Sequence, residues 1–85
     1  MGVREVRAGI AVATEKAQAG IAAIVEASMQ LDEAHSALAT VTQGSGHPSV
    51  AESQGLLAEA LQGLAAAQSA IRASIISAED YAARL

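Results

Sequence analysis

Hydrophobic positions recur every seven residues over two long stretches of the chain. The first runs Val3, Ile10, Ala17, Ile24, Leu31, Leu38, with a companion series three residues on: Val6, Ala13, Gly20, Ala27, Ala34, Val41. The second runs Val50, Leu57, Leu64, Ile71, Ala78, Leu85, with Ser53, Ala60, Ala67, Ser74, Tyr81 as companions. Each stretch pairs a mostly large stripe with a mostly small one at coiled-coil spacing, and this predicts two amphipathic helices. Between them lies Gln43-Gly44-Ser45-Gly46-His47-Pro48-Ser49, which holds the only proline. Gly44 suits a left-handed helix end. Ser49 through Glu52 reads as a capping box opening the second helix.

The expectation is therefore an all-α single domain over residues 1–85. Helix 1 spans about 3–42, a turn at 43–48 carries Gly44, Gly46, His47 and Pro48, and helix 2 spans about 49–84. Two such helices fold back as an antiparallel helical hairpin. A register that sets Ile24 against Ala67, Leu31 against Ala60, Ala27 against Leu64 and Ala34 against Leu57 lets large meet small in nearly every layer. It closes the open end with Ile10 against Tyr81 and Val6 against Leu85, and sets Arg4 and Arg7 near Glu79 and Asp80. Gly20 falls on the seam, where a close crossing would tolerate or require it.

Several large residues fall off that seam: Val12, Ile21, Val25, Met29, Leu56, Leu61, Ile75 and Ile76. Ile21, Val25, Leu61 and Ile75, with Ala58 and Ala65, form an apolar strip on one side of the hairpin. Exposed strips of this kind mark interaction surfaces. Small scaffolds also commonly need a partner to reach useful stability. The simplest partner is a second copy, giving a dimeric four-helix bundle. A different helical protein is the alternative.

Composition narrows the function. Of 85 residues, 22 are alanine and 19 are Val, Ile or Leu, and Tyr81 is the only aromatic. Alanine buries little surface, so the core is thin, and a self-contained enzyme with a roofed pocket is not expected. The net charge is −4 and the five basic residues are scattered, which offers no phosphate-binding patch and disfavours nucleic acid. With no cysteine there is no disulfide framework or thiolate metal site. The first residues lack a secretory signal pattern and no run of about 18 apolar residues suggests a membrane span. A cytoplasmic location is expected, with leaderless export left open.

Three motifs invite chemistry. Asp32-Glu33-Ala34-His35 spells a helicase tetrapeptide, but no phosphate loop accompanies it. Asp32 and His35 have metal-ligand spacing, yet a site needs three or four ligands and helix 2 has no histidine. His35 is expected beside the seam, bonded to a group such as Gln54. Ser45 and His47 meet in the turn, where a nucleophile would have neither shelter nor an orienting acid. His47 reads as a solvated loop residue or a cap, with partner docking at the tip a further use. No catalytic, cofactor or metal residue is assigned.

The turn Gly44-Ser45-Gly46-His47-Pro48 with Val50-Ala51, and the ending Tyr81-Ala82-Ala83-Arg84-Leu85, resemble a group of small Ala-rich actinobacterial proteins. The resemblance covers nearly the whole chain, implies a helical hairpin and assigns no activity. A weaker likeness is to the WXG100 family of type VII secretion substrates, helical hairpins that pair as dimers. That likeness implies a secreted or partner-dependent module. This chain departs from it at both diagnostic elements: Gln43-Gly44-Ser45 has no tryptophan, and Leu85 rather than an acid lies four residues after Tyr81.

Overall fold

A computed structural model describes every residue from Met1 to Leu85. It contains two helices, α1 over Val3–Val41 and α2 over Pro48–Ala83, and no strand. They lie antiparallel as a hairpin measuring 64 × 15 × 15 Å. The radius of gyration is 19.2 Å, against roughly 12 Å for a compact chain of this length. The molecule is a rod.

The local chemistry of the turn explains where the helices stop. The Thr42 N–H and hydroxyl both donate to the carbonyl of Leu38, at 3.0 and 2.6 Å. That satisfies one of the carbonyls a helix end leaves open. Gly44 then takes φ +80°, the left-handed conformation expected of it, and the Ser45 N–H returns to the Thr42 carbonyl at 3.0 Å. The start of α2 differs from the expected capping box. Pro48 is the first helical residue, His47 is the N-cap, and its Nδ1 accepts from the Ser49 N–H at 3.1 Å. Proline has no N–H to lose and a φ already set for a helix, so the first turn is its natural place. Ser49 is thereby drawn inside the helix, and the neighbouring histidine caps instead.

The seam uses the expected large series, keeps Val6, Gly20, Ala27, Ser53 and Ala67 of the expected companion series half-buried, and adds a row that was not expected. Ile10, Ala17, Ile24, Leu31 and Leu38 on α1, and Val50, Leu57, Leu64, Ile71 and Ala78 on α2, are half-buried. The added row lies four residues on from the large series. It comprises Thr14, Ile21, Ser28, His35 and Thr42 on α1, and Gln54, Leu61, Gln68, Ile75 and Ala82 on α2. Ala13, Ala34, Ala60, Ser74 and Tyr81 of the expected row are exposed. Burial free energy scales with apolar area, so a rotation that brings in Ile21, Leu61 and Ile75 outweighs one that brings in alanines. It does so at the cost of drawing Gln54, Gln68 and His35 partly inward.

Two side-chain hydrogen bonds cross between the helices. Gln54 Nε2 donates to the His35 carbonyl at 3.4 Å, and Arg7 Nε donates to the Ala82 carbonyl at 3.2 Å. Both fix one register, shifted by two residues from the expected one. It sets Ile24 level with Leu64, and Leu31 level with Leu57, to within a residue. Large therefore meets large in the first row, and large meets small mainly in the second. At the open end Ala82 takes the inward place, and Tyr81 is 55% exposed rather than packed on Ile10. Leu85 is likewise exposed. Arg7 serves the carbonyls of the last turn of α2, where cations are favoured by the helix dipole, rather than an acid. The one ion pair is Arg84 with Asp80 at 3.0 Å, within α2 and exposed, a kind worth about 0–1 kcal/mol. Gly20 is not forced by close approach, because a Cβ added there meets nothing within 4 Å.

By composition α1 is apolar enough to cross a membrane, with an 18-residue window of mean hydropathy 1.2. Its longest uncharged run is Ala17–Val25, which at 1.5 Å per residue covers roughly 14 Å, about half a hydrocarbon core.

Candidate interaction surface

A single side chain, Ile75, is buried, at 8% exposure. Everything the chain offers to a partner is therefore read from its two long faces. In an antiparallel pair, equivalent flanks of the two helices share a side. One face carries the residues just beyond the first inward row: Ala11, Gln18, Val25, Asp32 and Ala39 from α1, and Ala51, Ala58, Ala65, Arg72 and Glu79 from α2. The opposite face carries Ala13, Ala34, Ala60 and Ser74, with half-buried Gly20, Ala27, Ser53 and Ala67 at its floor and exposed Val41 and Tyr81 at its two ends.

The first face is grooved. One groove of about 350 Å³ is lined by Gln18, Ile21, Arg72, Ile75 and Ile76. A second of about 590 Å³ adjoins it through Gln18 and runs toward the open end past Thr14, Glu15, Ile10, Arg7 and Glu79. Their shared residue makes them one continuous furrow over roughly a third of the rod, at its open end. Both are wide open to solvent. Neither gathers a nucleophile, base and oxyanion donors in a sheltered place, as acyl-transfer chemistry needs. No three His, Asp or Glu side chains come together as metal ligands.

The four residues expected to carry an interface divide. Ile75 is the most buried side chain of the hairpin, and Ile21 and Leu61 are half-buried in the seam beside it. They support the fold as well as any partner, which corrects their placement off the seam. Val25 is 42% exposed and does lie on the open face. Met29 at 55% and Ile76 at 67% border the same face and were outside the expected set of four. The missed signal was the spacing of Val25 and Met29, four apart on one side of α1.

Of the turn residues, Gly44 shapes the reversal and His47 caps α2, while Gly46 and Pro48 are exposed. Ser45 Oγ accepts from the His47 N–H at 3.3 Å. His35 is half-buried near Gln54, as expected, but the bond is to its backbone carbonyl and not to the imidazole. The Gln54 Oε1 is buried without a partner.

No protein-family model, curated protein or solved structure matches this chain.

Proposed function

We propose that this chain is a non-enzymatic helical hairpin that works through protein–protein contact and self-associates, two hairpins packing into a four-helix bundle. The carrying observation is its surface. The chain exposes 5980 Å², whereas a compact monomer of 8.5 kDa exposes roughly 4,700 Å². With one buried side chain, the hydrophobic gain per residue is small against an ordering cost of about 1–2 kcal/mol per residue. A second copy laid along the rod supplies the missing burial, which is how small scaffolds without disulfides or metals reach stability.

Light scattering across a dilution series, with circular dichroism on the same samples, tests this. The expected result is a highly helical species of twice the 8.5 kDa chain mass that persists to low micromolar concentration. A fully helical, cooperatively melting monomer at every concentration would overturn the reading. A poorly helical monomer would overturn it too, and would direct attention to a different helical protein as partner, including a secreted pairing of the WXG100 kind.

A further inference from the structure

We infer that the grooved face is the self-association surface, and that two copies meet across it with their turns at opposite ends and a twofold axis at Val25 and Ala65. This rests on the self-association proposed above and adds the face, the orientation and the contacts.

The face has the area. A rod face of 64 by 15 Å covers on the order of 1,000 Å² per chain, about 2,000 Å² in all, where permanent homodimers begin. It also has the shape. The register set by Arg7 with Ala82 and Gln54 with His35 puts Gln18 level with Arg72, Val25 with Ala65 and Asp32 with Ala58, each to within a residue. A twofold axis across the rod at Val25 lays α1 on α1 and α2 on α2 of the second copy. Exposed Ile76 then falls on Gly55 of the second copy, and exposed Met29 on Ala22. Both of these large residues meet a small one, and Val25 meets its own copy on the axis.

Charge selects the orientation. Arg72 and Asp32 have no ion-pair partner within the chain, and two heptads of level separation, roughly 21 Å, keep them apart. The twofold brings Arg72 of one copy over Ala58 of the other, whose small side chain leaves the guanidinium room to reach Asp32. Gln18 falls on Asp32 as well. With the turns at the same end, Arg72 instead meets Gln18, and Ile76 falls on Glu15. The inner row of the opposite face carries no charge of either sign, so charge selects no orientation there, and its exposed large residues, Val41, Leu56 and Tyr81, lie away from the middle of the rod.

The chain has no cysteine, so single introduced cysteines report the geometry. Facing helices 8–10 Å apart bring self-opposed Cα atoms within disulfide reach, below ~7 Å. Val25→Cys alone is expected to close into a disulfide-linked dimer under mild oxidation, and Gly20→Cys, on the opposite face, is not. Arg72→Asp is expected to weaken the dimer by about tenfold, and Asp32→Arg in the same chain to restore it. A dimer by light scattering that links through Gly20→Cys, or only when Val25→Cys and Ala65→Cys are combined, would overturn the face or the orientation while self-association stands. A monomer throughout would overturn both readings. Ile76 is exposed in the single chain, so Ile76→Glu should split the dimer without first removing a buried contact.

Discussion

Replacing Gly9, Gly20 and Gly63 together by alanine tests both the energetics of the rod and the identity of its free face. All three lie inside the helices. A Cβ built at each meets nothing within 4 Å, so no steric term opposes the change. What remains is helix propensity, about 0.8–1 kcal/mol per glycine, which acts largely by restricting the unfolded chain. The sites share no partner and are well separated, so their effects add. The triple variant should gain about 2.5–3 kcal/mol, raising the melting temperature by roughly 10–20 °C for a chain of this size. Thermal melts followed at 222 nm, at one fixed protein concentration, measure this, because association makes the midpoint concentration-dependent. The single variant Gly20→Ala is the critical one. If it lowered stability or loosened the dimer, another backbone must approach Gly20, and the small-residue face would be covered rather than free. That result would refute both the open-space argument and the choice of face.

Three further outcomes follow from the geometry. His47→Ala removes the acceptor for the Ser49 N–H and should cost about 1 kcal/mol, while His47→Asp should recover it through a stronger cap; urea unfolding of the pair checks this. Gln54→Leu removes a buried oxygen that has no partner and gives up only a 3.4 Å bond. It should raise stability by roughly 1 kcal/mol, and a fall would mean that the bond to His35 holds the register. Ile75→Ala deletes the one buried side chain; a loss of about 2–4 kcal/mol should leave the chain largely unfolded at room temperature by circular dichroism.

The two-helix plan was legible because heptad spacing and a single Gly/Pro-bearing break are local signals. Helix limits and the left-handed Gly44 follow from residue chemistry alone. The second inward row was not legible in the same way. Spacings of three and four residues from Ile24 point to either side of the same seam, Ala27 or Ser28, and neither is a large side chain. The choice was settled elsewhere along the rod, by Ile21, Leu61 and Ile75, whose combined burial sets one rotation for the whole helix. Register failed for a related reason. Matching large to small favours one offset, but Arg7 seeking the open carbonyls at the end of α2 and the meeting of Gln54 with His35 favour another, two residues away. The capping box misled because Ser49 and Glu52 have the right spacing whether or not Pro48 has already begun the helix. The open face is half legible: spacing alone sets Val25, Met29 and Ile76 off the seam, but only the rotation shows that all three border one face.

Arg7 reaching to Ala82 places the first turn of α1 beside the last turn of α2, with the reversal at the far end of a 64 Å rod. A force applied between these two neighbouring turns therefore peels the helices apart one layer at a time, as a zipper opens, instead of shearing all layers at once. The seam would yield gradually and at low load when pulled from there. The same hairpin pulled between its turn and its open end would resist along the helix axes, through hydrogen bonds loaded lengthwise. Anything joined to either terminus leaves from the same tip, so a tether there holds the rod by one end and leaves its whole length free to swing.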